Sequence, residues 1–292
     1  MPGFRVRGFT LVEMIVVIVI GGILSVGISG LITRPLEGYA TQGNRALLVD
    51  SAETALQQMT REIRRALPNS VRVGCANQCI EILRILDGGR YRIAGAGNTL
   101  DFSLATDTFD ALGVLQSEID APGVIDDVGS TSQQQDCLDG TVDCLVIYNT
   151  GTDASEISAY DSENIAAITS ANSTSISFDN SGDVPTFNFP LSSPGQRFFV
   201  VDSPITFYCD TVTGQITRYQ NYAIQSPQPI DPMAAPLNAG QAAIVTENVG
   251  SCSFTYSPGT LFRSGLVTLD IGFTRRGDVI RLIQQIHVSN VP

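Results

Sequence analysis

The feature that most limits the fold is a run of 22 residues, 11–32, reading LVEMIVVIVIGGILSVGISGLI with one charge, Glu13. As a helix it is about 33 Å long, enough to cross a hydrocarbon core of ~30 Å. A secretory signal would have an apolar core of only ~7–15 residues and a small-residue cleavage site after it, and no such site follows here. A retained, single-pass membrane span at about 11–32 is therefore expected. Arg5 and Arg7 precede it, so the positive-inside bias puts the first residues in the cytoplasm and the body across the membrane.

Charge and histidine content then narrow the chemistry. Residues 1–99 hold 11 Arg and 7 acids, while residues 100–292 hold 6 Arg and 22 acids, which gives the net −12. An acidic body repels phosphate backbones, so nucleic acid is not an expected partner. His287 is the one histidine, which leaves any Ser/His or Cys/His pair a single possible member. No catalytic constellation emerges, and the chain is not expected to be an enzyme.

Glu13 is out of place in an ordinary anchor. A carboxylate costs roughly 2.5–3.5 kcal/mol near a bilayer centre, less near its edge, so an unpaired acid in a span is a functional hypothesis in itself. Its context, Gly8-Phe9-Thr10-Leu11-Val12-Glu13 behind a short basic leader, resembles the class III signal of type IV prepilins and type II secretion pseudopilins. The resemblance implies a leader, residues 1–8, cut by prepilin peptidase between Gly8 and Phe9, with N-methylation of Phe9. It also implies that Glu13 serves assembly, by pairing with the new α-ammonium of a neighbouring subunit. Partners implied are prepilin peptidase, other major and minor pilins and an inner-membrane assembly platform. The implied location is the bacterial inner membrane with the body in the periplasm, then a pilus or cell surface.

The helix is expected to continue to residue 67. Leu48, Ala52, Ala55, Leu56, Met59, Ile63 and Ala66 recur at three- and four-residue steps, while Arg45, Asp50, Glu53, Gln57, Glu62 and Arg65 are read as facing away. Pro35, near Gly30 and Gly38, is expected to kink or melt it, and Pro68-Asn69 to stop it. Arg61, Arg64 and Arg65 read as a solvated, dipole-matched helix end.

From residue 68 to 292 the pattern is β-rich. Strands are read at 80–86, 91–94, 100–104, 144–148, 175–178, 197–201, 205–209, 215–219, 252–256, 266–273 and 279–288, with a hairpin turn at Arg275-Arg276-Gly277-Asp278 and His287 in the last strand. Stretches 107–140 and 226–238 read as surface loops. The fold class is α+β: a long N-terminal helix, its first half in the membrane, packed on a mainly antiparallel, disulfide-bonded extracytoplasmic domain.

Cys75, Cys79, Cys137, Cys144, Cys209 and Cys252 lie in the exported part, where disulfides are the default. Six cysteines allow fifteen pairings. Proximity favours Cys75–Cys79 and Cys137–Cys144 and leaves Cys209–Cys252 to tie two strands across the sheet. No cofactor is expected. Asp126, Asp127, Asp136, Asp139 and Asp143 could hold calcium, as in some pseudopilin relatives, but lack the alternating order of a dedicated loop and read as a solvated acidic loop. Arg276-Gly277-Asp278 reads as a charged turn, and Asn172-Ser173-Thr174 is a glycosylation sequon.

Residues 61–73 (REIRRALPNSVRV), 193–202 (SPGQRFFVVD) and the closing Asn290-Val291-Pro292 are similar to the MshO-type minor pilins of mannose-sensitive haemagglutinin (MSHA) pili. The J-type minor pseudopilins are the broader relatives. This resemblance, with a body larger than a compact major pilin, implies a minor pilin acting in pilus assembly as a priming or tip subunit. A surface adhesin subunit and a minor pseudopilin of a type II secretion system remain the alternatives.

Overall fold

The computed structural model describes residues 8–103, 106–115, 137, 142–152, 155–178, 187–259 and 263–292, with the backbone alone for 29–41. Helix α1 spans Leu11–Ile63, 53 residues, or about 80 Å at 1.5 Å per residue. It passes through Pro35 without a break, so the local melting expected there does not occur. One missing donor removes one rung, and the flanking turns carry the helix across.

The helix also stops earlier than expected. Arg65 and Ala66 N–H groups tighten to the carbonyls three residues back, and the Leu67 N–H leaves the helix to bond the Leu83 carbonyl at 2.8 Å. Ile85 N–H returns the bond to Arg65 O at 2.8 Å, and Ala66 bridges to Arg84. A sheet edge thus captures the chain before Pro68 can act, and only Arg61 remains in the last turn.

Among the described residues twelve strands follow: β1 (Arg72–Gly74), β2 (Cys79–Arg90), β3 (Thr108–Asp110), β4 (Cys144–Val146), β5 (Ile165–Ala171), β6 (Ser175–Phe178), β7 (Arg197–Asp210), β8 (Gln215–Gln220), β9 (Gln241–Glu247), β10 (Val249–Ser257), β11 (Gly265–Arg275) and β12 (Asp278–Val288). Nine form one sheet in the order β1-β2-β7-β4-β5-β6-β3, with β8 on β7 and β9 on β8; β10-β11-β12 form a second sheet. Every pairing is antiparallel. The fold is α+β, one apolar N-terminal helix followed by a β-rich domain.

β7 is the spine. It pairs β2 along one side, and on the other side it meets β4 at Phe199–Val201 and β8 at Thr206–Asp210. The segments read as two strands, 197–201 and 205–209, are one. Pro204 lies between the β4 and β8 pairings, where a residue without an N–H removes no rung on that side. The stretch 91–94 and the described residues 100–103 of the stretch expected at 100–104 are not strands; Tyr91 makes an isolated bridge to Ala111. Conversely β3 falls inside the expected 107–140 loop, and β1, β5 and β9 were not anticipated.

The apolar line of α1 packs where both sheets meet. Leu48, Ala52, Leu56, Met59 and Ile63 share one core with Ile80, Ile82, Ile205 and Phe207 of the large sheet and Phe254, Leu269, Ile271, Phe273 and Ile286 of the small one. Each of these side chains larger than alanine contributes about 1.5–3 kcal/mol when taken wholly out of water, which fixes the lower helix to the body. β4 and β5 are buried on both faces. Leu145, Ala166 and Ile168 enter an aromatic core with Phe109, Phe178 and Phe198, whereas Cys144, Val146, Ile165 and Ala167 enter a third core with Leu67, Tyr160 and Val201.

Three disulfides staple the body: Cys75–Cys79, Cys137–Cys144 and Cys209–Cys252. The last does not tie strands of one sheet, as expected, but joins β7 to β10 and so binds the two sheets together. β11 and β12 form a hairpin with Arg275 opposite Asp278. Arg276 (φ 50°) and Gly277 (φ 87°) are both left-handed, the conformation of a type I′ turn.

Candidate functional site

The residues singled out for processing and assembly lie at the start of α1. Thr10 is the N-cap in an extended conformation (φ −86°, ψ 150°). The Glu13 N–H donates to Thr10 Oγ1 at 3.3 Å, and the Thr10 N–H donates to Glu13 Oε2 at 3.4 Å, a reciprocal capping box. Two otherwise orphaned donors are thereby satisfied at an end on which nothing packs among the described residues. Glu13 is expected to lack a cation of its own chain, and its carboxylate is held instead by the backbone of its own N-cap. The signal was in the sequence, because Thr10-Leu11-Val12-Glu13 has the Thr-x-x-Glu spacing of that motif.

Upstream, Phe9 is 77% exposed and Gly8 has no neighbouring atom within 4 Å of where a Cβ would stand. Among the described residues, therefore, nothing covers the Gly8–Phe9 bond. Residues 1–7, with the basic Arg5 and Arg7, lie outside the described residues. Downstream, Leu11–Ile28 has a mean hydropathy of 2.6 and no part of it is buried by the body. An apolar surface of that length in water would be a strong association site, and a bilayer accommodates it.

The body contributes a buried polar knot that the sequence reading missed. The Arg72 guanidinium donates to Glu81 Oε2 from Nη2 at 2.8 Å and from Nε at 3.2 Å, and Tyr222 OH donates to Glu81 Oε1 at 3.2 Å. The same guanidinium lies 3.4 Å over the Tyr160 ring and bonds the carbonyls of Gln225 and Ser226. Tyr160 OH in turn donates to Ser70 O at 2.8 Å. Burial pushes the Glu81 carboxyl up to about 7 against the pull of Arg72, and it raises the Tyr160 and Tyr222 hydroxyls as well. With Arg72 and Glu81 pairing across β1 and β2, the knot fastens the 222–226 segment to the sheet. Its one sequence signal was a single acid, Glu81, inside the apolar strand 80–86.

The remaining candidates are scattered. Glu62 does not face away: its Oε2 lies 2.6 Å from Arg218 Nε. His287 is exposed on β12 opposite Leu266. Asn172 closes the β5–β6 turn by accepting the Thr174 and Ser175 N–H groups. Asp126, Asp127, Asp136 and Asp139 lie outside the described residues; Asp143 is buried. Among the described residues no group of three His, Cys, Asp or Glu side chains is placed to hold a metal ion. The segments 61–73, 193–202 and 290–292 do converge: Asn69 Nδ2 donates to Asn290 O at 3.3 Å, Ser193 Oγ to Pro292 O at 3.0 Å, and Arg197 Nη1 to Val291 O at 3.3 Å.

Comparison with known proteins adds one match. The family described as the prokaryotic N-terminal methylation motif matches residues 3–29, covering Gly8, Phe9, Glu13 and most of the apolar run. No match was found among curated proteins or solved structures. The motif supports a type IV pilin-like or pseudopilin protein, a structural subunit rather than an enzyme, anchored by its N-terminal helix with the body outside the membrane. It implies processing by a peptidase and assembly with other pilins.

Proposed function

We propose that the chain is a minor pilin of an MSHA-type type IV pilus, cut between Gly8 and Phe9, N-methylated on Phe9, and built into the fibre as a priming or tip subunit. The observation that carries this reading is α1 itself. Its first half is an uncovered apolar span behind an accessible Gly8–Phe9 bond, and its second half is fixed to a folded body. Such a subunit moves from bilayer to fibre by exchanging lipid for neighbouring helices, with no change in its own core. The minor class and the MSHA type rest on the size of the body and on the three converging segments that are similar to MshO-type proteins.

Within this reading Glu13 has two successive partners. In the precursor its carboxylate caps the helix through the Thr10 N–H. After cleavage, Phe9 carries an α-ammonium, and the carboxylate of an adjacent subunit is the group that neutralises it in an apolar surrounding. Mass spectrometry of fibre-associated protein tests the proposal. The first residue is expected to be N-methyl-Phe9, and subunits assembled with residues 1–8 still attached would refute it. Deletion of the gene should abolish fibres; intact but non-adherent fibres would point to an adhesin instead.

A further inference from the structure

The exposed face of α1 carries four charges left without partners. Asp50, Glu53, Arg61 and Arg64 are all exposed, and among the described residues none makes an ion pair or a side-chain hydrogen bond. Nearby arginines are used differently, with Arg218 on Glu62 and Arg84 on Asp202. At ~100° per residue the four lie within about 80° of one another, opposite the buried line of Ala52, Met59 and Ile63. The acids come first and the arginines follow. Glu53 and Arg61 are about 12 Å apart along the axis, too far to pair within one helix.

The spacing is self-complementary. Asp50 to Arg61 and Glu53 to Arg64 are both eleven residues, three turns plus about 20°, or ~16.5 Å of rise. Two copies anchored by N-terminal spans run parallel, which removes the antiparallel pairing. At equal depth acid would face acid and arginine would face arginine, which is repulsive. A shift of eleven residues turns both oppositions into ion pairs at once. A groove of about 540 Å³ runs beside the stripe, lined by Glu53, Gln57, Arg61 and Arg64 of α1 and Leu282 and Ile283 of β12. Anionic lipid is not the occupant: Arg61 stands about 50 Å beyond Ile28 along the helix, several Debye lengths from any headgroup.

We propose that this stripe is a register-selective contact for a second copy of the chain, parallel and displaced by ~16.5 Å, with Asp50 and Glu53 of one copy on Arg61 and Arg64 of the next. The inference rests on the pilin-like reading, because that displacement withdraws about half of one span from a ~30 Å core. Copies side by side in the bilayer repel, and copies stacked in a fibre attract. The charges therefore favour the assembled register over the stored one, and the subunit enters in runs of at least two.

The test places cysteines at Ala46 and Gln57, which share the stripe and the eleven-residue interval. The full chain carrying A46C and Q57C is treated with a bismaleimide too short for the ~16.5 Å between them in one chain. Peptide mapping of the fibre fraction should find residue 46 of one copy joined to residue 57 of another. Arg61→Glu with Arg64→Glu should reduce that product about tenfold, since two exposed ion pairs are lost and repulsions gained. Adding Asp50→Arg and Glu53→Arg should restore it. Links of 46 to 46 or 57 to 57, or a product indifferent to charge reversal, would overturn the proposal. N-methyl-Phe9 is scored in the same sample: processed, fibre-borne subunits without the 46–57 link overturn this inference alone, whereas unprocessed protein absent from fibres overturns the pilin reading and the contact with it.

Discussion

Replacing Cys209 and Cys252 together by alanine tests how the two sheets are held. The bridge closes a separation of 43 residues, against 4 for Cys75–Cys79. The loop-entropy relation gives about 4 kcal/mol for the longer closure and about 2 kcal/mol for the shorter at 25 °C. Cys209 and Cys79 are both wholly buried, so truncation to alanine adds a similar packing loss of roughly 1 kcal/mol to each double variant and leaves the loop-closure difference. The Cys209/Cys252 double variant should thus be about 2 kcal/mol less stable than the Cys75/Cys79 double variant. With 8 Tyr and no Trp, tyrosine emission follows urea unfolding of the full chain in detergent. The Cys209/Cys252 variant should unfold at a clearly lower midpoint, with a steeper transition because its unfolded state is no longer tethered. Equal midpoints for the two double variants would refute the reasoning, by showing that the sheets hold together through packing alone.

Glu81 should make the body pH-sensitive: its folded pKa of about 7 exceeds that of a free carboxyl, so folding takes up a proton and stability falls as pH rises from about 5 to 8, by on the order of 3 kcal/mol from this group. Glu81→Gln should flatten that slope in urea titrations across the window, and an unchanged slope would assign it elsewhere. Thr10→Ala should cost the helix start about 1 kcal/mol yet leave fibre incorporation intact. Glu13→Gln keeps the capping geometry but should lower incorporation while processing at Gly8 continues, and equal fibre yields for the two would remove the charge-pairing role. Gly277→Ala meets no atom, so its cost is that of a left-handed backbone alone, about 1 kcal/mol in thermal unfolding; a loss of several kcal/mol would mean the turn does more than reverse the chain.

Features set by local chemistry were legible in the sequence. The 11–32 run, the three- and four-residue apolar line from Leu48, and the Arg276-Gly277 turn each depend on residues near in sequence, so pattern and structure coincide there, except that the line is expected to run on to Ala66 and the helix ends at Ile63. Features set by partners were not. β5 (IAAITSA) has weak strand character of its own and is a strand because β4 and β6 flank it. The 91–94 segment has strand character and no ladder to join. Pro204 reads as a breaker until the gap between the β4 and β8 pairings is seen. Arg72 and Glu81 are neighbours only through the β1–β2 register, and Tyr160 and Tyr222 reach them from distant segments. For the N-terminal segment the opposite holds: its candidate residues were readable, and the capping role of Glu13 was overlooked although its spacing was present.

The central position of β7 also orders events in time. Its rungs with β2 join residues more than a hundred positions apart, from Cys79 with Tyr208 to Arg90 with Arg197. Such non-local pairing is slow, on the scale of milliseconds to seconds, whereas turns and helices form in microseconds. The β1–β2 corner and the β11–β12 hairpin can close as they emerge, but the large sheet waits for residue 197 and beyond. Until then the inner line of α1, from Leu48 to Ile63, has nothing to dock on and stays wet. A newly exported chain therefore passes through an interval in which its anchor is already seated in lipid while the lower helix remains uncommitted. The helix forms early, but its attachment to the body is among the last contacts to be made.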